Sequence, residues 1–208
     1  MTKRIFITAT NTDIGKTYAT SLLLREYASQ GLKVGVFKPI ETGVDSHPLD
    51  GKKLFDLAKE LNPSLVNVGL DTIVPYQYKL PAAPYVAKEG QEISIELLER
   101  KLQEIEKYCD IVLIEGAGGL MVPVEEDLFM VDFISIFKAS TLLVCPSRLG
   151  SINDTLLSRY LLESKNIPYI WAINIYADKE SFAQVTAPFY QKNFLSLQND
   201  IKEITNKL

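Results

Sequence analysis

The chain is poor in the residues that carry most side-chain chemistry. It holds one histidine, His47, and two cysteines, Cys109 and Cys145, in 208 residues. No catalytic histidine or cysteine dyad is apparent. The two cysteines are too far apart in sequence for metal-ligand spacing and too few for a disulfide framework. Cys145 ends the apolar run Leu142-Leu143-Val144 and reads as a small core residue. His47 lies in a polar stretch and reads as a loop residue with no catalytic role. No apolar stretch reaches the roughly 18 residues that a membrane span needs. The opening Met-Thr-Lys-Arg-Ile-Phe-Ile runs into a polar loop, unlike a signal peptide. Charge of one sign is also scarce: 22 Lys and Arg against 26 Asp and Glu leave a net −4. That balance gives no electrostatic reason to bind nucleic acid or a membrane surface. These absences point to a cytoplasmic protein with neither as a partner.

What is present is an apolar fraction of 47%, enough for a sizeable core. It comes in short runs: Ile5-Phe6-Ile7, Val34 to Phe37, Ile111 to Ile114, Leu142 to Val144 and Tyr169 to Ile173. Between them lie helical patterns, near Tyr18–Ala28, Ser94–Lys107, Val131–Phe137 and Ile152–Ser164. Continuous apolar strands alternating with helices predict a parallel β-sheet covered by helices on both faces, an α/β three-layer fold with right-handed crossovers. No linker, repeat or low-complexity segment divides residues 1–208, so one domain is expected. The tail after Asp178 reads as helical, with Pro188 as a break. In such a sheet, functional groups gather at the carboxyl ends of the strands.

The first of those ends carries the strongest signal. Thr8-Ala9-Thr10-Asn11-Thr12-Asp13-Ile14-Gly15-Lys16-Thr17 lies between a strand and a helix. Backbone N–H groups of such a loop and the helix N-terminus converge on an anion. Lys16 can reach outer phosphates, and the Thr17 hydroxyl can ligate Mg²⁺. The standard pattern is G-x-x-x-x-G-K-[ST], the P-loop of nucleotide-binding proteins. Here Gly15 is present, but Thr10 holds the position of the first glycine.

Three further segments belong to the same crevice. Glu115 ends a buried strand before Gly116-Ala117-Gly118-Gly119 and can hold Mg²⁺ directly or through water. Lys38, in Lys38-Pro39-Ile40-Glu41-Thr42-Gly43, could neutralise a carboxylate or a transferring phosphoryl group. Asp50 opens a helical pattern whose apolar face is Leu54, Leu57, Ala58 and Leu61. It reads either as a helix N-cap or as a second carboxylate for Mg²⁺, with Asp56 as the competing candidate.

Taken together, these segments resemble dethiobiotin synthetases. The matching pieces are Thr10 to Thr17, Lys38 to Gly43, Pro75-Tyr76, Pro81 to Pro84, Glu115 to Leu120, Leu149 to Asn153 and Asn174. The resemblance implies a P-loop NTPase-like fold and a homodimer with substrate at the subunit interface. It implies 7,8-diaminononanoate, CO₂ and ATP as substrates, with Mg²⁺ as cofactor. An amine takes up CO₂ as a carbamate, ATP phosphorylates it to a mixed anhydride, and the second amine closes the ureido ring. In this carry-over Lys16, Lys38 and Thr12 are catalytic. Asp13, Ile14, Gly15, Lys16, Thr17, Tyr18, Glu115, Gly118 and Asn174 bind nucleotide, with Asn174 facing the base. Lys38, Thr42, Pro81, Ala82, Gly150, Ser151 and Asn153 bind substrate, the last three lent by the partner subunit. Thr17, Asp50 and Glu115 hold the metal.

The chain also departs from that family. Ala9 stands where the family has its first loop glycine. A positive φ there would cost about 1 kcal/mol or more; a negative φ would leave the loop slightly altered. The later segment that lines the base pocket is not found, so ATP and GTP are not distinguished. Two other readings fit the residues less well. A partitioning-type switch ATPase expects an additional loop lysine, which Thr10 and its neighbours lack. A GTPase expects N-K-x-D, and Asn174-Ile175-Tyr176-Ala177 lacks the lysine and aspartate.

Overall fold

The computed structural model describes residues 2–176, 179–191 and 193–208. From the N-terminus the elements are β1 (Lys3–Ala9), α1 (Lys16–Ser29), β2 (Val34–Phe37), β3 (Ile40–Thr42), α2 (Leu49–Leu61), α3 (Leu70–Ile73), β4 (Tyr76–Tyr78), α4 (Pro84–Ala87) and α5 (Ile95–Glu106). There follow β5 (Ile111–Glu115), β6 (Pro123–Glu125), β7 (Leu128–Phe129), α6 (Asp132–Ile136), β8 (Ser140–Pro146), α7 (Ser151–Ser164) and β9 (Ile170–Asn174). The tail forms α8 (Lys179–Ser181), α9 (Ala187–Tyr190), β10 (Leu195–Ser196) and α10 (Ile201–Lys207).

Six strands make one sheet in the order β10-β9-β8-β1-β5-β2, and every pairing in it is parallel. The central strands are buried and mostly apolar because helices cover both faces. Ile5, Phe6 and Ile7 of β1 and Val112, Leu113 and Ile114 of β5 are wholly buried. The helix α1 turns Ala19, Leu23, Leu24 and Tyr27 onto the sheet, the spacing of one helical face. The Tyr27 hydroxyl ties it to the C-terminal helix by donating to the Thr205 carbonyl at 3.1 Å. At the other edge Ser94 caps α5, its side chain accepting the Leu97 N–H at 3.1 Å.

Parallel pairing puts the ends of β1, β2, β5, β8 and β9 along one rim. The chain leaves β1 toward β2 on one side and later fills β8 and β9 on the other. Order therefore reverses at β1, where a ligand crevice is expected. The tail is largely helical, as expected: α8, a π-helical segment at Phe182–Thr186, α9 and α10. It returns to the sheet edge as β10, with Leu195 and Ser196 in register with Ala172 and Ile173. Pro188 lies just where the π-helical segment passes into α9, an irregularity of the kind a proline imposes on a helical run. Among the described residues no helix is long and apolar enough to cross a membrane.

Candidate active site

At the rim above β1 the loop 10–15 turns sharply into α1. Asp13 has φ 58° and Gly15 has φ 102°, both left-handed, so successive N–H groups face inward as an anion cradle. Gly15 is required on two counts. Its φ suits glycine alone, and a Cβ would lie 2.2 Å from the Asn174 amide nitrogen. Ala9 needs no such freedom. It keeps extended backbone at the end of β1, in register with Val144, and Thr10 donates its N–H to the Val144 carbonyl at 3.2 Å. The strained alternative for Ala9 does not arise, because the left-handed turns come later in the loop.

The loop forms one wall of a cavity of about 690 Å³, within the range of small-ligand sites. Thr12, Asp13, Gly15, Lys16 and Thr17 line it from the loop, Lys38, Thr42 and Asp50 from the next strand end and helix, and Pro81, Ala82 and Gly118 from across the opening. These sequence-predicted residues, remote in the chain, share one space. Glu115 lies beneath it, fully buried.

A buried network sets the floor. Glu115 Oε1 accepts from Lys38 Nζ at 2.7 Å and from Thr17 Oγ1 at 3.1 Å. Its Oε2 accepts from Thr20 Oγ1 at 2.8 Å. Burial alone would lower the Lys38 pKa, but the charge and hydrogen bond of Glu115, with help from Asp50 and Glu41, outweigh it and raise it. Lys38 therefore stays an ammonium under the cavity. Lys16 is different. Burial, then the charge of Lys38, pull its pKa down to about 8, against the opposing pull of Glu115, Asp50 and Asp13. Its Nζ donates to the Asn11 carbonyl at 3.1 Å.

This makes anion binding pH-dependent. A polyphosphate favours charged Lys16, so above pH 8 the free site must take up a proton as it binds. Affinity for ATP is expected to fall as pH rises from 8, by at most about tenfold per pH unit. Calorimetry at pH 7 and pH 9, in buffers of different ionisation enthalpy, checks this. Proton uptake should appear only at the higher pH.

Asp50 is no N-cap. Pro48 occupies that position in α2, and no side chain there caps the helix. The open N–H groups of Asp50 and Gly51 donate instead to the carboxylate of Glu41, at 3.0 and 2.8 Å. A long-range carboxylate thus replaces a local cap and complements the helix dipole. Asp50 is left free to line the cavity, whereas Asp56 is paired with Lys52 and Lys59 on the outer face. The two aspartates thus lie on different sides of α2, Asp50 toward the cavity and Asp56 away from it.

Other predicted residues lie elsewhere. Ile14, Tyr18 and Asn174 do not line the cavity. Asn174 is buried beneath the loop, its Nδ2 donating to the Ile14 carbonyl at 2.9 Å and its Oδ1 accepting from Gln198 Nε2 at 2.6 Å. Ala177 of the guanine-motif comparison lies outside the described residues. Gly150, Ser151 and Asn153 are also outside the cavity lining. Gly150 and Asn153 are exposed, but Ser151 is wholly buried. Its side chain faces inward at the start of α7.

Three residues escaped the sequence reading: Thr20, Glu41 and Gln198. Thr20 had a faint signal, one turn beyond Lys16 on the same face of α1. Glu41 reaches across nine residues and Gln198 across 24, and no local pattern marks either.

Among the described residues no group of three or more His, Cys, Asp or Glu could hold a metal alone. The donors present are oxygens: the Thr17 hydroxyl against Glu115, and Asp50 on the cavity wall. Such a sparse set suits Mg²⁺, which takes one or two protein oxygens and completes its shell with phosphates and water.

A parallel sheet with β1 at its switch point, a Gly-Lys-Thr turn and two cations over one cavity define a P-loop NTPase-like protein. The profile of a family described as an AAA domain matches residues 3–197. MinD cell division protein from Aquifex aeolicus superposes with a TM-score of 0.52 at 19% identity, covering 98% of this chain and 86% of its own, a likeness of fold alone. Sequence relatives are nearer. "ATP-dependent dethiobiotin synthetase BioD" of Sulfurovum sp. (strain NBC37-1) is 48% identical over 197 residues, 94% of this chain and 93% of that protein. The protein of the same name from Wolinella succinogenes is 36% identical over 212 residues, 99% and 98% of the two chains. The chain belongs to the ATP-dependent dethiobiotin synthetase family.

Proposed function

We propose that this chain, as one catalytic domain, closes the ureido ring of dethiobiotin from 7,8-diaminononanoate, CO₂ and ATP in the cavity beside the phosphate loop. The observation that carries this is the pairing of Lys16 and Lys38 over one space that also holds Thr12, Thr42 and Pro81. The reaction brings a carbamate oxygen against a triphosphate, so its main obstacle is charge. Phosphoryl transfer needs positioning and cations more than a base. A carbamate is already an anionic nucleophile, so a lone, exposed His47 is no defect.

In this reading Lys16 binds the outer phosphates and follows charge as it moves during transfer. Lys38, held cationic by Glu115, faces the carbamate and the γ-phosphate. Thr12 orients the loop side of the carbamate, and Thr42, Pro81 and Ala82 shape the diamine site. Asp13, Ile14, Gly15, Tyr18 and Gly118 form the nucleotide side, with Asn174 under the loop. Thr17, Asp50 and Glu115 would hold Mg²⁺, which supplies positive charge to the β- and γ-phosphates. Glu115 is saturated by Lys38, Thr17 and Thr20, which favours a water-mediated part for it.

The diamine's carboxylate end would be met by Gly150 and Asn153 of a second copy in a homodimer. Exposed Leu149, Leu156, Leu157 and Tyr160 beside them support an associating face. A cytoplasmic setting accords with two free, buried cysteines.

Phosphate release that requires diamine and bicarbonate together is the test. Hydrolysis equally fast without either would defeat the proposal. Asn153→Ala is expected to raise the KM for diamine about tenfold with ATP affinity unchanged. An unaltered KM in steady-state assays would remove Asn153 from the site.

A further inference from the structure

The β9–β10 region holds a chain of amide groups that ends on the phosphate loop. Gln198 follows β10 and is half-buried. Its Oε1 accepts the backbone N–H of Ile175 at 3.1 Å and the Ser196 hydroxyl at 3.3 Å. Its Nε2 donates to Asn174 Oδ1 at 2.6 Å, and Asn174 Nδ2 donates to the Ile14 carbonyl at 2.9 Å.

The two outer ends of this chain are unambiguous. A backbone N–H can only donate, so the Gln198 atom it meets is the oxygen. A backbone carbonyl can only accept, so the Asn174 atom it meets is the nitrogen. The groups left facing each other are then a donor and an acceptor, a complementary pair. Reversal of either amide would set like against like at two contacts. Asn174 Nδ2 also packs where a Cβ on Gly15 would be only 2.2 Å away. The amide thus abuts the residue whose left-handed turn aims the loop into α1, immediately before Lys16. The segment is itself tied down: Leu197 donates its N–H to the Ile173 carbonyl at 3.0 Å, and Asp200 accepts the Ser196 N–H at 2.8 Å.

We propose that Gln198 is a positioning residue for nucleotide binding: it fixes the amide of Asn174, which in turn holds the phosphate loop at Ile14 and Gly15 in its anion-binding form. The role deepens the nucleotide reading given above and rests on it. Gln198 touches no phosphate. It acts from the tail, on a loop 160 or more residues earlier in the chain, by setting which end of one amide faces up.

Direct titration of ATP without diamine or bicarbonate tests this on wild type, Gln198→Leu and Gln198→Glu at pH 7.5, with thermal unfolding of each. Gln198→Leu is expected to bind ATP roughly tenfold more weakly, with the KM for diamine unchanged. Gln198→Glu keeps size and polarity but turns an acceptor toward Asn174 Oδ1. It should bind at least as weakly at pH 7.5, and recover toward pH 5 as its carboxyl gains a proton to donate. In an Asn174→Ala background, Gln198→Leu should add nothing, because both act through one relay. Wild-type affinity in Gln198→Glu, full additivity with Asn174→Ala, or a lower unfolding temperature in Gln198→Leu with unchanged affinity would each overturn the proposal. Failure of the wild-type chain to bind ATP would overturn the nucleotide reading beneath it, and shows before any substitution is made.

Discussion

Lys16→Ala is expected to cut dethiobiotin formation by about a thousandfold, with the protein folded and no less stable than wild type. The size follows from what is removed. A preorganised charge aimed at a transition state in a site shielded from water is worth about a hundred- to a thousandfold in turnover, and Lys16 adds ground-state phosphate binding to that. Stability should hold because the ammonium is a burden to the empty fold. Burial and Lys38 press its pKa down to about 8, against the 10.5 of a free lysine, so at neutral pH the folded chain carries a charge it disfavours. Deleting that charge leaves folding unchanged or slightly favoured at pH 7. Lys16→Arg should not rescue, since a planar guanidinium is a poor substitute for a compact ammonium. Chemical denaturation with turnover measured on the same samples separates the effects. Retention of a tenth of the activity would remove Lys16 from the phosphates.

The second large effect concerns stability. Glu115→Leu is expected to destabilise the fold by about 3 kcal/mol or more, because it strands Lys38 in the interior without its carboxylate. The pair lies at 2.7 Å with almost no solvent exposure on either side. Such a loss is a large share of the roughly 5–15 kcal/mol that holds a domain together. The double variant Lys38→Met, Glu115→Leu should recover most of it, since two apolar groups of similar size need no partner. Its activity should stay absent. Urea unfolding of the wild type, both single variants and the double variant gives the coupling directly. A Glu115→Leu protein within 1 kcal/mol of wild type would mean the ion pair is not what keeps Lys38 charged. A stable but inactive double variant would show that the pair is kept for its chemistry.

Parts of this site were legible in the sequence because the physics behind them is local. The turn into α1 needs a glycine at a left-handed position next to a lysine, and Gly15-Lys16 states both. The strand at Val34–Phe37 and the helix beginning near Ser94 follow from runs and periodicity within a few residues. Asp50 was legible as a candidate site carboxylate, but the alternative of an N-cap could not be set aside locally. The cap is Glu41, nine residues away, and only packing of β3 against the start of α2 brings it there. The choice between Asp50 and Asp56 was equally closed to local reasoning, because both sit in one helix and the face decides. Ser151 looked available by its motif, yet the first turn of α7 points it into the core. The tail is helical as its pattern reads except at β10, whose two residues are too few to show a period and whose pairing partner is in β9.

By itself the sequence determined a parallel α/β fold, a phosphate loop ahead of α1, a family, and Lys16, Lys38, Thr17 and Glu115 as its candidate site residues. These depend on neighbours in the chain, where backbone preferences and hydrophobic period act. Tertiary structure alone decided that Lys38 is held charged by Glu115, that Glu41 frees Asp50 for the cavity, that Ala9 stays extended, and that Gln198 reaches the loop through Asn174. Those are contacts between strand ends far apart in sequence, and they exist only once the sheet has set its order and register.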